Sequence, residues 1–163
     1  MKAFVIDTNV PVTANGKASQ ADIHCVEACV DALVEATKAT VVVDDLGLVM
    51  AEYRRHLNPS GQPGLGDYFM KWLHQNQGRP QCCEFVHITP RGGNHEDFEE
   101  FPGDAELAAF DRADRKFVAA AKASRHRPWV LNATDTDWWS HRQALKRNGV
   151  RVRFLCPQCM CKD

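Results

Sequence analysis

Short apolar runs alternate with longer stretches of helical period along this chain. Ala3, Phe4, Val5 and Ile6 form an uninterrupted apolar run whose length suits a buried strand. Over residues 21–38, Ile23, Val26, Val30, Leu33, Val34 and Thr37 recur at helical spacing and predict an amphipathic helix. A β-branched run over 40–43 follows, closed by Asp44 and Asp45. Residues 46–57 again carry a helical stripe, Leu46, Val49, Met50 and Tyr53. The Pro- and Gly-rich segment 58–67 predicts a loop, with Asp67 placed to cap a helix through Phe69, Trp72 and Leu73. A third strand is expected over 84–88, then a polar loop over 89–103. Residues 104–110 and 111–124 read as two consecutive helices or one broken one, with Asp104 and Asp111 as caps. A fourth strand over 129–132, a helix over 139–147 and a final strand over 150–155 complete the pattern, without internal repeats.

Strands that alternate with helices imply a mainly parallel sheet of about five strands covered on both faces, an α/β fold. Ligands in such folds bind beyond the carboxyl ends of the strands. Asp7 follows the first strand and Asp135 the fourth, so parallel strands bring both carboxylates to one edge. The loop starting at Thr89 leaves from that edge too.

The 163 residues, 44% hydrophobic and 25% charged, suit one globular domain over 1–155 followed by a tail, 156–163. No run approaches the roughly 20 apolar residues of a membrane span. The apolar start is short and ends in Asp7, unlike a signal peptide. A net charge of −1 neither favours nor excludes nucleic acid, since a local basic patch suffices. Seven cysteines, an odd number, suggest a reduced cytoplasmic setting without a disulfide framework. Cys25 and Cys29, one helical turn apart, read as small core residues. Cys156, Cys159 and Cys161 read as free thiols of a loose tail. Zinc there would need a fourth ligand from Cys82, Cys83 or His87.

Four places set an acid beside apolar neighbours: Asp7, Glu52, Asp114, and Asp135 with Asp137. Carboxylates gathered within about 5 Å would repel one another by roughly 3 kcal/mol per pair at an effective dielectric near 20. A divalent cation is the usual offset, and oxygen-only ligands favour Mg²⁺ or Mn²⁺ over zinc.

These residues carry a family resemblance. Val5-Ile6-Asp7-Thr8-Asn9-Val10 resembles the opening motif of PIN-domain nucleases. The segment from Asp111 through Asp114 to Phe117 resembles their third acidic motif, and Leu131 through Asp135 and Asp137 to Trp138 their fourth. Glu52 lies where the second is expected, and the order spans Val5 to Leu155. The resemblance implies a three-layer α/β/α sandwich and a metal-dependent endoribonuclease acting on single-stranded RNA. The context it implies is the toxin or effector of a toxin–antitoxin or defence system. Asp7, Glu52, Asp114 and Asp135 would be catalytic metal ligands for Mg²⁺ or Mn²⁺, with Asp137 accessory and Asn9 orienting Asp7. Many members carry Thr or Ser two residues before the fourth acid; here that position is Ala133, and Thr134 or Asn132 would take the polar role.

The mechanism expected is in-line attack by a metal-activated water on the phosphodiester. Arg54, Arg115 and Lys116 are candidates to hold the phosphate backbone, and Trp139 to stack on a base; Trp129 and Trp138 read as core. Single-stranded DNA is a second substrate class. A catalytically silent module of the same fold is the alternative from outside enzymology. A dehalogenase-like phosphatase needs a second acid two residues after Asp7, where this chain has Asn9. The loop 91–103, acidic with Phe98 and Phe101, is expected to be exposed and to dock an inhibitory or regulatory protein; a homo-oligomer is also compatible.

Overall fold

A computed structural model describes residues 2–160. Five strands, β1 (Ala3–Ile6), β2 (Thr40–Asp44), β3 (Cys83–Val86), β4 (Trp129–Asn132) and β5 (Arg151–Phe154), form one sheet in the order β3-β2-β1-β4-β5. Every pairing is parallel. Eight helices accompany them among the described residues: α1 (Asn9–Ala14), α2 (Ile23–Thr37), α3 (Leu48–His56), α4 (Leu65–Asn76), α5 (Arg115–Ala123), α6 (Thr136–Ser140), α7 (Arg142–Arg147) and α8 (Pro157–Met160). Parallel strands need right-handed crossovers. The chain steps from β1 through β2 to β3 in one direction, then returns to β4 and β5 in the other. The crossovers therefore lie on opposite faces, which gives the three-layer α/β/α arrangement. Helices α1, α2 and α4 pack on one another, while α5 packs against β1, β2 and β4. None of the described helices is long and apolar enough to cross a membrane.

Strands β1 and β2 are buried at every position, as expected of a central parallel sheet whose runs do not alternate. The helices differ from the sequence pattern in instructive ways. Helix α2 buries Cys25, Cys29, Ala32, Leu33 and Ala36, while Ile23 and Val34 of the apparent stripe are exposed. Small residues thus face the core, where α2 lies close to α1. Helix α3 starts at Leu48 because the buried Asp44 accepts hydrogen bonds from the amides of Leu48 (3.0 Å) and Val49 (2.8 Å). The turn in between uses Gly47 at φ 79°, and Leu46 is left exposed.

Helix α4 starts at Leu65, two residues before Asp67. Asp67 reaches back to the Gly64 amide (3.0 Å) and across to that of Asn58 (2.8 Å), while its own amide donates to Asn15. That ring locks the end of α1 onto the start of α4. The approach is so close that a Cβ at Gly66 would lie 2.0 Å from the Pro11 carbonyl oxygen. Gly66→Ala is expected to destabilise the protein by about 1–3 kcal/mol, read as a lower denaturant midpoint at unchanged slope.

Helix α1 is absent from the sequence reading because its six residues, with Pro11 in the first turn, are too few to show a period. The helix expected over 139–147 instead starts at Thr136 and breaks at His141. Of the segment expected as helix over 104–114, only two 3₁₀ turns form, Ala105–Leu107 and Arg112–Asp114; Asp104 and Asp111 do cap them, accepting from Glu106 and Ala113.

The tail is not loose. Residues Pro157–Met160 are helical, Met160 is buried, and Cys156 is joined to Cys25 in a disulfide spanning 131 residues of sequence. This corrects the expectation of free tail thiols: the thiols meet only because the turn after β5 comes back onto α2. Cys82 and Cys83 lie at the start of β3, on the opposite edge of the sheet from β5, and His87 pairs with Asp45 at 2.9 Å. None of the three is the partner expected for the tail cysteines, and Cys161 lies outside the described residues.

Candidate metal centre

Asp7 extends the β1 ladder by one residue, its amide donating to the Leu131 carbonyl at 3.1 Å. The carboxylate therefore emerges at the carboxyl edge between β1 and β4, where the strand order turns in opposite directions. Asp135 caps α6 just beyond β4, accepting from the Asp137 amide at 2.9 Å. Asp114 stands at the start of α5, which crosses the same strands. Carboxylate oxygens of Asp7, Asp114 and Asp135 lie within 4.8 Å of one another.

Burial and mutual repulsion tax these acids. Asp7 is pushed up to about 7, first by desolvation and then by the charges of Asp135 and Glu52, against the opposing Asn9 amide and Lys116. Asp114 is pushed up to about 9 by desolvation, by Asp7 and by a hydrogen bond with Asp135. Without a cation the folded cluster keeps protons that an unfolded chain releases near pH 4. Stability linked to these protons is full at low pH and is lost as pH rises toward about 9. The metal-free protein is thus expected to melt at a lower temperature at pH 9 than at pH 6, by an amount worth a few kcal/mol. Saturating Mg²⁺ or Mn²⁺ would flatten that slope. A calorimetric series with and without EDTA checks both parts.

Glu52 stands beside the trio rather than in it. It accepts a short hydrogen bond from the Thr8 hydroxyl and lies 2.8 Å from the Lys116 ammonium. Lys116, expected to hold substrate phosphate, is instead a buried counter-ion, also bonded to the Ala113 carbonyl. Arg115 is buried too, and so is not presented to a substrate backbone. It pairs with Asp97 at 3.0 Å, donates to the carbonyls of Ala108 and Phe110, and lies over the Phe101 ring. Arg54 is exposed on α3. Asp137 is outside the trio, its carboxylate accepting from the Asp111 amide at 2.9 Å and lying 3.3 Å from His141 Nδ1.

Asn9 acts on Asp7 through its backbone, the amide donating to Oδ1 at 3.1 Å; its side chain accepts from the Ala133 amide and ties β1 to β4. The side chain that holds Asp7 is Asn132, whose Nδ2 donates to Oδ2 at 3.3 Å. Thr134 accepts from Gln20 instead. Of the two polar candidates around Ala133, Asn132 therefore contacts the acid. Its Oδ1 is buried without a hydrogen-bond partner among the described residues. Asn132→Ala is expected to weaken metal binding by about 10–100-fold, measured by Mn²⁺ titration calorimetry.

The donor set fits a small hard cation: three carboxylates, no nitrogen or sulfur, and raised pKa values that a divalent charge would reverse. The surroundings also revise the view of the acidic loop. Phe98 and Phe101 are buried, Asp97 holds Arg115, and Glu100 accepts from the Thr89 amide, so the aromatic face expected to dock a partner is spent inward.

A cavity of about 610 Å³ lies away from the acids, between α7 and β5, lined by Arg127, Trp129, Arg142, Lys146, Arg151 and Phe154. Arg151 covers the Trp129 ring at 4.7 Å and Arg142 the Trp139 ring at 4.2 Å. Trp139, half-buried, packs against Phe154, while Trp138 is wholly buried against Phe110. Comparison of the chain with protein-family models, with curated proteins and with solved structures gives no match.

Proposed function

We propose that the protein is a metal-dependent endonuclease of the PIN type, cleaving single-stranded RNA. The observation that carries this reading is the Asp7, Asp114 and Asp135 trio at the carboxyl edge of adjacent parallel strands. Mg²⁺ or Mn²⁺ held there would supply Lewis acidity and an activated water for phosphodiester hydrolysis. Asp7, fixed by Asn132 and the Asn9 amide, and Asp135, fixed as a helix cap, present their oxygens with little freedom to reorganise. Thr8 and Lys116 hold Glu52 beside the trio, one on each carboxylate oxygen. Lys116 already balances one of the four carboxylates, which favours one tightly held cation over two.

The basic groove suits a nucleic-acid strand, because its Arg and Lys side chains meet phosphate without regard to sequence. A cytoplasmic toxin or defence effector held by an inhibitory partner is the biological setting proposed with this activity, and it rests on the resemblance alone. The silent-module alternative draws on the Glu52–Lys116 pair, which neutralises part of the cluster without metal.

Labelled single-stranded RNA and DNA incubated with Mg²⁺, Mn²⁺ or EDTA separate these readings. Metal-dependent cleavage of RNA supports the proposal, cleavage of DNA alone moves the substrate class, and no cleavage alongside tight binding supports the silent module.

A further inference from the structure

The acidic site leaves a second cluster of ligand-grade side chains unused. The sulfurs of Cys25, Cys29 and Cys156 lie within 4.8 Å of one another. Cys159 stands beside them on α8, partly buried against the core, its amide donating to the Cys156 carbonyl at 2.9 Å. The spacings are those of two metal-binding pairs. Cys25 and Cys29 stand one turn apart on one face of α2, and Cys156 and Cys159 are separated by two residues across a turn.

We propose that Cys25, Cys29, Cys156 and Cys159 form a tetrathiolate site for a structural zinc ion, of which the Cys25–Cys156 disulfide is the oxidised, metal-free state. A disulfide alone leaves the free thiol of Cys29 within 4.8 Å of both its sulfurs, and the free thiol of Cys159 three residues along the chain from Cys156. Four Zn–S bonds of about 2.3 Å set the sulfurs about 3.8 Å apart in a tetrahedron. The sulfurs of Cys25, Cys29 and Cys156, all within 4.8 Å of one another, are close to that spacing. A dithiol reductant opens the disulfide, delivering two electrons and two protons and itself becoming a disulfide. Zn²⁺ then displaces the four thiol protons and forms four bonds to sulfur. Burial holds the free Cys29 thiol at about 12, so the metal, rather than solvent, is what draws off its proton.

The site would brace the acidic centre. The loop before α2 reaches the carboxyl edge, where Gln20 Nε2 donates to Thr134 at 3.2 Å, one residue before Asp135. Zinc at the head of α2 would fasten that loop and α8 to the same edge.

The test uses the whole chain, reduced with dithiothreitol, freed of reductant without air, and titrated with Zn²⁺ or Co²⁺. The expected result is about one zinc per chain retained through gel filtration. Cobalt should give thiolate-to-metal charge-transfer bands and the visible bands of a tetrahedral ion. Cys29→Ser and Cys159→Ser lose these signals; Cys82→Ser and Asp7→Asn keep them, the latter separating this site from the acidic one. A folded, reduced wild-type chain without thiolate–cobalt bands overturns the proposal, as does full zinc binding by Cys29→Ser. Should the serine variants not fold, the wild-type cobalt spectrum decides alone.

Discussion

Asp7→Asn and Asp114→Asn are each expected to lower RNA cleavage by well over about 100-fold at saturating Mn²⁺, with the fold retained. Changes to groups that merely orient a ligand lower metal affinity or activity by about 10–100-fold, and these two acids are proposed as ligands themselves. The amide keeps the volume and removes the charge. Because both acids are raised in pKa by burial and by each other, removing one charge relieves its neighbours. The variants are therefore expected to be as stable as the metal-free parent, or more so, above neutral pH. That opposite movement of activity and stability is the signature of a site held against repulsion. Equal loss of both would point to acids with a structural role. Single-turnover cleavage and thermal melting on the same preparations measure the two sides.

The second large effect concerns stability. Arg115→Ala is expected to destabilise the fold by about 3–5 kcal/mol, since it leaves a partly buried carboxylate and two carbonyls without their partner. Arg115 joins α5 to Asp97 of the acidic loop, to the carbonyls of Ala108 and Phe110, and to the Phe101 ring. A substrate-binding arginine would instead raise KM and leave the melting temperature in place. Chemical denaturation with a parallel cleavage assay distinguishes the roles. Asp97→Asn would show part of the same loss.

The contrast between Arg115 and Asp7 marks what a sequence can convey here. Asp7 is the one charge among apolar and neutral neighbours, Arg115 stands in a run of mixed charge, and the pattern of residue types gives each a role at the surface or the site. Asp7 was legible because a carboxylate directly after a wholly apolar strand has one place to go in a parallel sheet. Asp135 follows from the same rule applied to β4, and Asp114 from its position ahead of an Ala-rich helix. For Arg115 the deciding fact is the path of residues 97–110, which fold back over the start of α5. No local period encodes that path. Asn132 was half-legible: it ends an apolar run, where a polar residue is notable, but only the pairing of β4 with β1 turns it toward Asp7.

What the sequence determined by itself is the alternation of strands and helices, the parallel sheet that follows, and the edge at which Asp7 and Asp135 emerge. These rest on local periodicity and on the handedness of crossovers, both of which short stretches of chain dictate. Tertiary structure alone decided the rest. It turned Asp137 toward His141, made Lys116 the partner of Glu52, buried Phe98 and Phe101, and joined Cys25 to Cys156. Each of these is a contact between residues whose meeting is set by how the layers and loops pack. Such contacts depend on the free energy of the whole fold, and no window of sequence contains it.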